Sequence, residues 1–176
     1  ENTIQGALDN GCKRFDLFFM IGLPRQTYSS VMKDVAYLRA LLKEFGVQRK
    51  LFPFISPLAP FVDPGSKVFE NPEKYGFRFF YRSLEEHRQA LKSPSWKYML
   101  NYETEVMTRD EIVMSTYEAA LAFNRLKAEH GLIAPDVAED VESRAGGALN
   151  LMKAIDKIDS EHGLDSKEMT SLKKEA

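Results

Sequence analysis

Apolar positions along this chain follow two different spacings, and the change between them divides it near residue 70. Leu17-Phe18-Phe19-Met20-Ile21 is a continuous apolar run that breaks at Gly22-Leu23-Pro24. An unalternated run is the pattern of a strand buried on both faces, as in parallel sheets covered by helices. A strand is therefore expected from about Arg14 to Ile21. Before it, Ile4, Ala7 and Leu8 share one face of a helical segment over residues 2–10, with Gly11 at its C-cap. After it, Thr27 or Ser29 caps a helix whose Val31, Val35, Leu38 and Leu42 recur at three- and four-residue spacing, and Gly46 marks its end. Val47 leads into a second apolar run, Leu51 to Ile55. Strand, helix and strand in this order form a right-handed βαβ crossover. Two short strands do not sustain a sheet in isolation, so an open edge able to pair with another molecule is expected.

Residues 57–72 are proline-rich and read as an ordered but irregular loop. Beyond them the pattern is helical. A short helix is expected from Leu84 to Lys92, stopped before Pro94, and another from Trp96 to Tyr102. Thr108-Arg109-Asp110-Glu111 is a capping box that opens a long helix ending at Gly131. Pro135 sits in the first turn of a further helix with the stripe Val137, Val141, Ala148, Met152, Ile155 and Ile158, ending at Gly163. Gly146 and Gly147 interrupt that stripe and are expected to kink or divide the helix. Asp165 to Ala176 forms a short polar helix. There is no internal repeat.

Composition narrows the classes. A net charge of −2 and a pI near 6.0 give no basic field for nucleic acid or anionic lipid, so neither partner is expected. No apolar run reaches the ~20 residues of a membrane span, and no signal-peptide pattern opens the chain. A single cysteine, Cys12, excludes an internal disulfide and any multi-thiolate metal site, which suits a cytoplasmic location. Glu1 opens the chain and the first methionine is Met20, as expected of a fragment.

Chemistry concentrates at the end of the first strand. In α/β folds ligands lie at the carboxyl ends of parallel strands, and Gly22 would let a flat ligand approach the backbone there. Phe19-Met20-Ile21-Gly22-Leu23-Pro24-Arg25-Gln26-Thr27 resembles the fifth-strand motif of radical S-adenosylmethionine (SAM) enzymes, commonly Ile-Gly-x-Pro-Gly-Glu/Gln-Thr before a helix. The segment from Leu51 to Ser66 resembles the sixth strand and exit loop of that family. The chain is most similar to the branch with an N-terminal cobalamin-binding domain, and the resemblance covers residues 1–70.

The resemblance implies a fold class: the last βαβ elements of a partial (β/α)6 TIM-like barrel over residues 1–70. A mainly helical C-terminal region follows over 71–176. It also implies cofactor contacts: Met20, Ile21, Gly22 and Pro24 at the first strand end, and Phe54, Ile55 and Ser56 at the second, forming one wall of a SAM pocket. The family holds a [4Fe–4S] cluster with Cys-x3-Cys-x2-Cys, which one cysteine cannot supply. The cluster region is expected upstream, so this chain would be an inactive fragment of an Fe–S oxidoreductase or transferase. Cobalamin use and the substrate stay open. Arg25 stands where the motif has glycine, so positive φ is not expected at that position. No catalytic residue is assigned.

Other residues read as structural. Asp63 and Ser66 are turn formers. His87, His130 and His162 lie on helices without a ligand partner at three- or four-residue spacing. The aromatics and arginines of 77–82 pack a strand or loop on the barrel rim, and Trp96, Tyr98, Met99 and Tyr102 join the helical region to the α/β part. Two other functions remain open. One is a non-catalytic helical interaction module with a small α/β appendage. The other is a small α/β protein using the Gly22 turn for another nucleotide.

Overall fold

The structure, a computed structural model, describes residues 1–46, 49–57, 61–93, 95–163 and 166–175. The expected roles of Val47 as lead-in to the second strand and of Pro94 as a helix stop lie outside them. So do the first and last residues of the expected C-terminal helix, Asp165 and Ala176. The architecture is mixed α/β and mostly helical. Element order is α1 (Asn2–Asp9), β1 (Phe15–Ile21), α2 (Tyr28–Phe45), β2 (Leu51–Pro57), α3 (Lys67–Glu70), a 3-10 turn (Glu73–Tyr75) and β3 (Phe77–Phe79). Then follow α4 (Leu84–Ala90), α5 (Trp96–Met99), β4 (Tyr102–Thr104), α6 (Arg109–Glu129), α7 (Pro135–His162) and α8 (Lys167–Glu175). Among the described residues no helix is long and apolar enough to cross a membrane.

β1 and β2 pair in parallel, with Phe15 opposite Leu51, Phe18 opposite Phe54 and Met20 opposite Ser56. The expectation that β1 is buried on both faces is corrected. Its burial alternates: Phe15, Leu17 and Phe19 turn toward α2 and α6, while Phe18 and Met20 are 69% and 46% exposed. The cause is that helices cover one face of the pair, and the other face is bare. Phe18 stacks on Phe54 across the strands, centroids 5.2 Å apart, and Arg14 lies 4.6 Å above the Phe52 ring.

The two edges of this pair differ. Phe15 N donates to Lys50 O, so the odd-numbered residues of β1 and the even-numbered residues of β2 face one another. The odd-numbered residues of β2 therefore point outward, and they include Pro53 and Pro57, which have no N–H to offer. α6 also packs along β2. On β1 the outward backbone belongs to Asp16, Phe18 and Met20, and no described strand pairs with it. Among the described residues, the β1 side offers an outward N–H at every such position and the β2 side does not, so the sheet grows more readily past β1.

Core packing crosses residue 70. Phe123 and Leu126 of α6 join Leu38, Leu42 and Leu51 in one buried cluster, with Phe123 edge-on to Phe19 at 5.1 Å. Ile21 and Val31 share a second cluster with Phe77, Leu100, Tyr102 and Ile112. A third cluster seats α8 on α7 through Ile155 and Met169.

Caps follow the sequence closely. Thr27 caps α2 in a box with Ser30, and Thr108 caps α6 in a box with Glu111. Ser66, expected as a turn former, caps α3. His130 and His162 each precede a glycine of positive φ, Gly131 and Gly163. Three expectations are corrected. The segment from Trp96 to Tyr102 is not one helix: α5 stops at Met99, and Tyr102 enters β4, antiparallel to β3. The loop after β2 contains the one-turn helix α3. α7 runs unbroken through Gly146 and Gly147, because glycine weakens a helix by about 1 kcal/mol without removing an N–H. On α7 the buried residue of the first turns is Ala138, while Val137 and Val141 are exposed. Asn124 Nδ2 donates to the Ala138 carbonyl at 2.9 Å, and Arg125 forks onto Glu142, which sets that rotation.

Candidate functional site

The turn that ends β1 is held by its own side chains. Gln26 Nε2 donates to Met20 O at 3.0 Å, and Leu23 N donates to Gln26 Oε1 at 3.2 Å. The Gln26 backbone N–H closes the same loop on Leu23 O at 3.1 Å. One amide side chain thus clamps both arms of the turn. Thr27 then starts α2 at once, so strand end and helix start lie within six residues.

Two residues in this turn have left-handed backbone, Gly22 (φ +83°) and Arg25 (φ +63°). The value at Arg25 corrects the expectation that positive φ is absent there. The turn keeps the backbone that a glycine would take freely, and arginine bears a steric penalty of about 1–2 kcal/mol in it. Gly22 has a second constraint. A Cβ on it would lie 2.6 Å from the Tyr102 hydroxyl oxygen and 3.2 Å from the ring. The close approach that glycine permits is filled from within, by the buried ring of β4.

The seven cofactor-contact candidates divide among three surroundings. Met20, Phe54 and Ser56 stand on the bare face of the sheet, with Met20 directly opposite Ser56. Ile21 points the other way into the core, fully buried, and Ile55 packs against the core on that same side. Gly22 is enclosed against Tyr102, and Pro24 lines a separate cleft of about 400 Å3 with Arg25, Glu73, Lys74, Gly76 and Glu105. Side-chain alternation along a strand sets this division.

Three further residues shape the site. Phe18 extends the bare face through its stack on Phe54, and period-two spacing from Met20 would have found it. Lys127 of α6 reaches the edge of that face, its ammonium 5.7 Å from the Phe54 centroid, and burial lowers its pKa. Tyr28, the first residue of α2, meets Glu118 of α6. Burial, with Glu118 as hydrogen-bond and charge partner, pushes its hydroxyl up to about 12. No local pattern announces the last two, since they depend on where α6 docks.

Cys12 is a half-buried free thiol that donates to Arg14 O at 3.0 Å. Among the described residues no three of His, Cys, Asp and Glu gather. Comparison with known proteins returns no matching family model, no matching curated protein and no matching solved structure.

Proposed function

We propose that this chain forms the closing strands of a partial (β/α)6 barrel in a radical SAM enzyme, and one wall of its SAM pocket. One observation carries the reading: the parallel pair β1–β2 is covered by helices on one face and bare on the other, and among the described residues its β1 side is the readier to add a strand. A barrel wall has this form, with helices outside and ligand-facing side chains inside. The positive φ at Arg25 and the Gln26 clamp agree with the glycine and Glu/Gln positions of the resembling motif.

The residues fit the adenosyl group in part. Phe18, Met20 and Phe54 form an apolar ledge for a base, Ser56 adds a hydroxyl beside it, and Met20 presents an outward N–H. Ile21 and Ile55 serve from behind, as core. SAM supplies an adenosyl radical when it is reduced, and the work of these residues is to hold the nucleoside and exclude water. They do not fit a [4Fe–4S] cluster, whose ligands would come from other polypeptide, so the 176 residues alone would not turn over.

The test is SAM cleavage to 5′-deoxyadenosine by the whole gene product, reconstituted anaerobically with iron and sulfide. Met20→Glu on the ledge should weaken SAM binding at least ten-fold while the fold persists. A gene product without Cys-x3-Cys-x2-Cys, or one that binds SAM equally well with Met20→Glu, overturns the proposal.

A further inference from the structure

A second concavity lies on the loop that leaves β2, away from the residues assigned to SAM. It has a volume of about 650 Å3, within the range of small-molecule sites. Phe61 and Pro64 of the loop form one wall, and Leu84 and Leu91 at the two ends of α4 form the other. Both leucines are well exposed, at 87% and 56%. Leucine gains nothing from water at such positions, so the apolar lining is open for a ligand.

The floor is rigid. His87 Nδ1 lies 2.7 Å from the Ser83 carbonyl, which can only accept, so Nδ1 carries the proton. Nε2 then accepts from Asn101 Nδ2 at 2.9 Å, and Asn101 Oδ1 accepts from Val62 N at 3.1 Å. This chain of bonds ties the loop to α4 through a fully buried asparagine. The rings of Phe61 and Tyr81 meet the imidazole edge-on at 5.5 and 5.1 Å.

The charged side chains that line the cavity, Arg82 and Arg88, are cationic. Arg88 lines the cavity, with its charge shared by Glu85 at 2.6 Å. Arg82 has no carboxylate within ion-pair distance among the described residues. It donates to Phe69 O at 2.6 Å, and its guanidinium lies 4.7 Å and 5.7 Å from the Phe69 and Phe79 centroids. Stacking and that one bond pin the group while leaving other N–H donors free, which suits an anion with planar oxygens. Among the described residues no carboxylate lines the cavity.

We infer that this cavity binds a small amphipathic carboxylate, its apolar chain or ring against Leu84, Leu91 and Phe61 and its carboxylate on Arg82. The inference goes beyond the SAM reading and stands without it, since the residues are different and the test uses no SAM. Calorimetric titration of the intact chain compares decanoate, decan-1-ol and decyltrimethylammonium. Decanoate should bind at one site, at least ten-fold tighter than the alcohol. Leu84→Glu and Leu91→Glu change exposed side chains and keep the fold by circular dichroism, and each should abolish decanoate binding. Arg82→Gln should bring decanoate down to the alcohol's affinity. If that variant unfolds, raised salt on the unaltered chain should narrow the gap between decanoate and alcohol. Equal binding of the three probes, tightest binding of the cation, or decanoate binding unchanged in the leucine variants overturns the inference. So does an acidic amphipathic peptide that outcompetes decanoate.

Discussion

Three glycines separate the two constraints that meet at Gly22. Gly22 has both a positive φ and a crowded Cβ direction. Gly11 has the positive φ (+81°) but open space, and Gly146 is helical with open space. Alanine at Gly146 should therefore stabilise α7 by about 0.5–1 kcal/mol. Alanine at Gly11 meets only the left-handed penalty, about 1–2 kcal/mol. Alanine at Gly22 adds overpacking against Tyr102, about 1–3 kcal/mol more. The total is about 2–5 kcal/mol, which lowers the Tm of a chain this size by roughly 4–20 °C. Tyr102→Phe removes the atom at 2.6 Å and leaves ring carbons at 3.2 and 3.3 Å, a contact that small shifts relieve. In that background Gly22→Ala should lose less stability by about 1–2 kcal/mol. Thermal melts of the three alanine variants, and of the double-mutant cycle, read every term. If Gly22→Ala melts together with Gly11→Ala, or if Tyr102→Phe leaves its loss unchanged, the turn is not packed as described.

Arg25→Gly should raise the urea midpoint, since relief of the left-handed penalty outweighs the added freedom of the unfolded chain by up to about 1 kcal/mol; a lower midpoint would mean that the arginine side chain holds the turn. Gln26→Ala should lose about 1–2 kcal/mol for its two bonds to Met20 and Leu23, seen as faster amide exchange at Leu23 and refuted by unchanged exchange there. Burial raises the hydroxyl pKa of both Tyr28 and Tyr81 to about 12. A raised folded-state pKa gives stability that is full below the ordinary tyrosine value and lost as pH climbs toward 12. Urea midpoints should therefore fall between pH 10 and 12, with a smaller fall in Tyr28→Phe, and a flat profile across that window would refute the assignment. Residues 83–176 expressed alone should fail to give cooperative melting, because Phe123 and Leu126 lose Leu38, Leu42 and Leu51; a sharp transition would restore an independent helical module.

Legibility in the sequence follows the range of the interactions. The caps at Thr27 and Thr108 and the helix over Val31 to Leu42 rest on neighbours a few residues apart, and local pattern specifies them; β1 and β2 are each a local apolar run, and their parallel pairing across 36 residues follows from the strand–helix–strand order. The bare face of β1 was hidden because Phe18 and Met20 are as apolar as Leu17 and Phe19. Hydrophobicity cannot say which side a helix covers when both sides qualify. β4 was hidden for a related reason: Trp96, Tyr98 and Tyr102 suit either period, and the choice rests on Phe77 and Gly22, both more than 20 residues away. At the site, the strand end and its turn were legible. The division of Met20 from Ile21 and of Phe54 from Ile55 was not, since a motif names neighbours and a pleat parts them.

The prolines of β2 carry a consequence for assembly. Two copies meeting through their β1 strands would bring together their more readily extended sides and leave a proline-interrupted margin at each outer limit. Such an encounter ends as a closed pair. An amyloid-like ribbon needs a free margin on both sides of every added unit, and this topology withholds one of them.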